Sequence, residues 1–143
     1  LFARWPGSMI GIPTGSINGI TVVDIDIRDD KDGFRTIEEL GLQRPSIYPA
    51  VRTPSGGVHL YISTGKDYYR NSASDLGPGI DIRSHGGYVI GAGSVSVDGS
   101  YKWICDFEKV RQITEGCNPN EVKFYNKNSK NHGFFEKFFN IFR

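Results

Sequence analysis

Two cysteines, seven prolines and a single methionine are spread over 143 residues, and no apolar run approaches the length of a membrane span. Cys105 and Cys117 stand in different segments and make neither a zinc-type pattern nor a CxxC pair, which argues against thiolate metal sites and thioredoxin-like chemistry. The expectation is a reduced, cytoplasmic chain. A membrane helix needs roughly 20 apolar residues, so no membrane partner is expected. Leu1-Phe2-Ala3-Arg4-Trp5 lacks the plan of a signal peptide. The start without an initiator Met marks the chain, on this reading, as a piece of a longer protein. Charge of one sign is scarce as well. The 17 Lys and Arg against 16 Asp and Glu leave +1, too little for a protein that works by neutralising phosphate alone, although a small basic cleft stays open. No P-loop, GxSxG or HExxH is present. Gly91-Ala92-Gly93-Ser94 does not complete a GxGxxG and comes late, so a dinucleotide fold is set aside. His85 lies in a Gly-flanked turn and His132 in a polar tail, and neither joins His59 in a histidine-rich metal site.

What is present suits one compact domain. Hydrophobic residues make up 38% and charged residues 23%, an apolar share below the globular average yet not a disordered composition. The 18 glycines follow no period and predict turns between short strands. Ile20 to Ile27 (ITVVDIDI) is rich in β-branched residues and reads as a strand. Asp32-Gly33 opens a short helix through Leu40, with Ile37 and Leu40 on one side and Gly41 as its C-terminal cap. Ile47 to Thr53 and Val58 to Ser63 read as strands joined by Pro54-Ser55-Gly56-Gly57, a hairpin-like connection. After a polar loop, Ile80 to Arg83, Tyr88 to Gly91, Val95 to Val97 and Tyr101 to Ile104 are short strands between Gly turns, a spacing that predicts antiparallel pairing. Residues 117–143 read as a polar linker and a terminal amphipathic helix, with Phe134, Phe135, Phe138, Phe139 and Phe142 at helical spacing. That helix is expected to pack on the domain or a neighbour, its polar face being too weakly basic for a membrane surface.

Three of the strands share one logic. Side chains alternate across a strand, so residues two apart share a face. Asp24 and Asp26 oppose Val23, Ile25 and Ile27; His59 and Tyr61 oppose Val58, Leu60 and Ile62; Asp81 and Arg83 oppose Ile80 and Ile82. Each strand thus has an apolar face for a core and a second face carrying ionisable groups. Paired in one sheet, they bring three carboxylates, an imidazole and a guanidinium to one surface, where like charges are unfavourable unless a cation or a proton compensates them. Oxygen-only ligands suit Mg²⁺ or Mn²⁺ rather than zinc. A lone DxD on a strand is more often solvated surface, and a lone His more often structural. The conjunction is what counts. Ser55-Gly56-Gly57 just before His59 lets phosphate approach backbone N–H groups, and the Ser hydroxyl adds a donor. Arg83 either holds a triphosphate by a forked contact or pairs with Asp81, and the sequence does not choose.

The order of these motifs resembles a known family. Ile10-Gly11-Ile12-Pro13-Thr14-Gly15 is followed by Val22-Val23-Asp24-Ile25-Asp26, then by Thr53-Pro54-Ser55-Gly56-Gly57-Val58-His59-Leu60-Tyr61. Gly79-Ile80-Asp81-Ile82-Arg83, Gly86-Gly87-Tyr88-Val89-Ile90 and Gly93-Ser94 complete the set. Together they resemble the bifunctional DNA primase/polymerase N-terminal (prim-pol) domain of the archaeo-eukaryotic primase superfamily, across residues 5–103. The resemblance implies an α+β fold over residues 1–116: a mainly antiparallel sheet with an RNA-recognition-like catalytic core, packed with a truncated α/β module. It implies that Asp24, Asp26 and Asp81 hold catalytic Mg²⁺ or Mn²⁺ and that Ser55 and His59 contact the phosphates of an incoming dNTP or NTP. Such domains serve plasmids, phages and integrated elements. A single-stranded or primed DNA template and a helicase, in cis or in trans, are therefore the implied partners. The Asn- and Phe-rich tail matches nothing in the family's pattern.

The expected activity is template-directed, two-metal nucleotidyl transfer. Asp24, Asp26, Asp81 and His59 form its catalytic set, with Ser55, Gly57, His59 and Arg83 holding the nucleotide. Two rivals draw on the same fold. One is a non-catalytic replication-initiator module that grips single-stranded nucleic acid, for which Tyr68-Tyr69-Arg70 is the one aromatic and basic cluster. The other is a metal-dependent nuclease built on the same carboxylates.

Overall fold

A computed structural model describes residues 4, 7–40, 49–63 and 69–104. The β-branched run Ile20–Ile25 forms strand β2, which lies inside a six-stranded antiparallel sheet. In chain order the strands are β1 (Gly11–Pro13), β2, β3 (Ile27–Arg28), β4 (Lys31–Asp32), β5 (Ala50–Arg52), β6 (Val58–Ser63) and β7 (Ser72–Ala73). They continue as β8 (Ile80–Arg83), β9 (Tyr88–Ile90), β10 (Val95–Ser96), β11 (Gly99–Ser100) and β12 (Lys102–Ile104), with helix α1 (Gly33–Glu39) following β4. The main sheet has the order β12-β5-β6-β2-β8-β7, while β1 pairs with β9, β3 with β4 and β10 with β11. The described residues thus form a mainly antiparallel β fold with one short helix.

Alternation gives the main sheet two apolar sides. Val23, Ile25, Leu60 and Ile82 belong to the larger core, which Phe34 and Ile37 of α1 complete. Val22, Val51 and Tyr61 face the other way and pack with Val89 of β9, with Ile12, Tyr101 and Trp103 at the margin. The side expected to carry ionisable groups is therefore partly a second core. The β1–β9 ribbon is what makes it so, and β1 was not foreseen as a strand.

Several boundaries differ from the expected ones. β2 stops at Ile25, not Ile27: the Asp26 N–H still donates across to the Gly79 carbonyl (2.8 Å), but the Asp26 carbonyl accepts from the Gly33 N–H (2.9 Å). The second of those bonds turns the Asp26 carbonyl from β8 to the start of α1. The chain then turns back through Asp29-Asp30 with Asp29 at φ 43°, a left-handed conformation that Asp tolerates. Asp32 caps α1 by accepting from the N–H groups of Phe34 and Arg35 (3.0 and 3.2 Å). The buried face of α1 runs through Phe34 and Ile37; Leu40 is the C-cap, beyond the last turn, and is exposed. β5 and β6 are joined as expected by a tight turn, in which the Gly56 N–H donates to the Thr53 carbonyl (3.0 Å). Gly41, Ile47, Tyr48, both cysteines and the linker and helix expected over residues 117–143 lie outside the described residues. No helix among the described residues is long and apolar enough to cross a membrane.

Candidate active site

Antiparallel register builds the site. β2 lies between β6 and β8, so Asp24 stands opposite His59 on one side and Asp81 on the other. Directly opposed side chains project the same way, and His59, Asp24 and Asp81 form a row across three strands. Val22 makes the next row with Tyr61 and Arg83. Asp24, Asp26, Ser55, His59 and Arg83 all line one open cleft of about 970 Å³. Asp81 and Gly57 are not part of its lining.

The carboxylates differ sharply in what surrounds them. Asp81 is engaged at both oxygens: Oδ2 accepts from Arg83 Nη2 at 2.7 Å and Oδ1 from the Ser74 N–H at 3.0 Å. Of the two roles open to Arg83, the pair with Asp81 is the one this structure holds. Asp26 has a looser partner in the exposed Arg28, 3.7 Å from its Oδ1. Asp24 Oδ1 is buried without a hydrogen bond, 3.5 Å from His59 Nε2. Burial pushes the Asp24 carboxyl up to about 7, with Asp26 adding to the effect and Arg83 opposing it. Burial drives the His59 imidazole down to about 4, against weaker help from the Ile90 backbone. The row thus sets a carboxyl with a raised pKa beside an imidazole with a lowered one. The Tyr101 ring lies 5.8 Å from the His59 ring, and burial, followed by Asp24, raises its hydroxyl pKa.

A buried carboxylate oxygen without a partner is costly and calls for a reason. Among the described residues, no three His, Cys, Asp or Glu side chains are grouped so as to hold a metal ion. Arg83 occupies Asp81 and Arg28 lies against Asp26. The open oxygen of Asp24 and the all-oxygen pair Asp24 and Asp26 fit a hard divalent cation. Asp81 fits only when Arg83 lets go.

In the Ser55-Gly56-Gly57 turn the three residues have different surroundings. Ser55 Oγ lies 3.0 Å from Thr53 Oγ1 at the cleft edge. Gly56 has φ +89° and faces open space. Gly57 is enclosed: a Cβ there would collide with the Ile25 carbonyl and stand 3.3 Å from Asp26 Cα. Its lack of a side chain serves the packing of the turn on β2. Sequence reasoning missed Arg28, Asn71 and Tyr101, which also line the cleft. Arg28 was within reach, because Asp24, Asp26 and Arg28 continue the same two-residue spacing. Tyr101 carried no signal, since its nearness to His59 depends on β12 lying beyond β5.

No curated protein matches the chain. The sequence model of the family described as bifunctional DNA primase/polymerase, N-terminal, matches residues 1–119, a span that contains the whole cleft. The chain belongs to the Prim-Pol family, the N-terminal domain of bifunctional DNA primase/polymerases.

Proposed function

We propose that this chain is a template-directed nucleotidyltransferase that joins dNTPs or NTPs by two-metal catalysis. The observation that carries the reading is the buried, orphaned Asp24 carboxylate oxygen beside Asp26 in the cleft of a Prim-Pol domain. Prim-Pol enzymes are generally metal-dependent. Bound Mg²⁺ or Mn²⁺ supplies positive charge where the α-phosphate is attacked and the pyrophosphate leaves. Asp24 and Asp26 hold the ions, and Asp81 joins them once Arg83 releases it. Arg83 is then free to present its fork to the triphosphate. The Ser55 hydroxyl and the uncharged His59 ring offer hydrogen bonds to the same phosphates, so that catalysis comes from placement and charge more than from a dedicated base. The RNA-recognition-like core, the α/β module, a domain boundary at residue 116, a DNA template, a helicase partner, a plasmid, phage or integrated-element origin and a cytoplasmic setting belong to the same proposal.

Primer extension and template-dependent dinucleotide synthesis with Mg²⁺ or Mn²⁺ test it. Asp24→Asn and Asp26→Asn are each expected to lower incorporation by about a hundredfold or more. Incorporation that survives both substitutions overturns the proposal, and loss of DNA without added triphosphate identifies a nuclease instead. The initiator reading is weakened by Tyr69, which is buried in the larger core and offers no ring for stacking; Tyr68 lies outside the described residues.

A further inference from the structure

Asp26 sits where β2 leaves the ladder, and three separate segments close on its backbone there. The loop before β8 accepts the Asp26 N–H at the Gly79 carbonyl (2.8 Å), and the first residue of α1 donates its N–H to the Asp26 carbonyl (2.9 Å). The β5–β6 turn presses on the same place through Gly57. Each segment makes the approach with a glycine. A Cβ at Gly33 would collide with the Gly79 carbonyl and stand 2.9 Å from Ile25 Cγ2. One at Gly79 would stand 2.6 Å from the Gly33 nitrogen and 2.9 Å from the Asp26 carbonyl oxygen. One at Gly57 would collide with the Ile25 carbonyl. Side chains at any of these positions push the segments apart. Among the described residues the Asp26 side chain has only a loose contact with exposed Arg28, at 3.7 Å, so the backbone is what locates this carboxylate next to Asp24.

We infer that Gly33, Gly57 and Gly79 are positioning residues: a three-glycine cage that fixes Asp26 at the cleft for divalent-metal binding. The inference rests on the metal reading proposed above, and it places Gly57 behind the carboxylate rather than against a phosphate. Displacing one ligand by about an ångström is enough to cost one to two orders of magnitude in function.

Two measurements on the full chain test the cage. The first is amide hydrogen exchange without metal. Gly79→Asn is the chosen variant, because Asn accepts the φ of +78° found at Gly79 and so reports the close approach alone. The Asp26 and Gly33 amides are expected to exchange at least tenfold faster in Gly79→Asn, while the Val23 amide inside β2 is unchanged. Gly93→Ala, with φ +90° and open space, strains the backbone elsewhere and is expected to leave all three unchanged. The second is Mn²⁺ affinity, read from the spin resonance of free Mn²⁺. Gly79→Asn is expected to weaken binding about tenfold in the wild-type background and to add nothing in Asp26→Asn. Equal losses in both backgrounds, or unaltered exchange at Asp26, overturn the cage. If Gly79→Asn does not fold, Gly33→Ala and Gly57→Ala are read in the same way. A wild-type chain that binds no Mn²⁺ overturns the metal reading, and amide exchange still decides whether the glycines hold Asp26.

Discussion

Asp24 Oδ1 and His59 Nε2 face each other at 3.5 Å across β2 and β6, and their opposite shifts have a consequence for stability. Unfolded, Asp24 ionises at its ordinary 3.8 and His59 at 6.5; folded, burial carries the first up to about 7 and the second down to about 4. Taken alone, the raised Asp24 value contributes stability that is present below 3.8 and lost as pH rises towards 7. The lowered His59 value contributes stability that is present above 6.5 and lost as pH falls towards 4. Between about 4 and 6.5 the pair binds one proton in either state, whichever atom carries it, and the two slopes cancel. Removing one partner exposes the other. Relative to wild type without metal, the unfolding free energy of Asp24→Asn is expected to rise across that window. That of His59→Gln is expected to fall, each by up to about 1.4 kcal/mol per pH unit. Urea unfolding at both ends of the window checks the signs. A second prediction concerns Arg83, which holds Asp81. Arg83→Gln is expected to tighten Mn²⁺ several-fold and weaken triphosphate several-fold, as equilibrium titrations with each ligand read separately. At this scale the sequence was informative about which residues alternate onto one face. It was silent about Arg83, whose two roles differ only by a side-chain rotation.

The elements explain why Asp24 and Asp26 are not equivalent. A continuous strand to Ile27 would have placed them alike. The partner of the Asp26 carbonyl, Gly33, lies across the Asp29-Asp30 turn and left no mark in ITVVDIDI itself, so the break could not be read from that run. The helix was legible through Asp32-Gly33, since an acidic side chain ahead of the first turn meets free N–H groups. Asp32→Ala is expected to lower stability by about 1 kcal/mol, and Phe34→Ala, which empties the buried face of α1, by about 3 to 5 kcal/mol. Both are read from urea midpoints. A larger loss from Asp32→Ala than from Phe34→Ala contradicts the assignment of the cap and the core. Extra short strands β7 and β11 were missed because two-residue pairings carry no periodicity.

For the whole molecule, period-two patterns showed which side of each strand is apolar, yet not which strands are neighbours. The order β6-β2-β8 is what converts three separate motifs into one row, and the β1–β9 ribbon turns part of the expected wet face into a second core. That core presses on the row and buries Asp24 and His59 more than an open face would allow. A bound cation must then displace the Asp24 proton, so added Mn²⁺ is expected to raise the melting temperature more above pH 7 than below it. The most direct test is a crystal of the chain with Mn²⁺ and a non-hydrolysable nucleoside triphosphate, read by anomalous scattering at the manganese edge. A manganese peak bonded to Asp24 and Asp26 is expected, with the triphosphate beside Ser55 and His59. A cleft without manganese, or manganese bound only elsewhere on the chain, contradicts the metal reading.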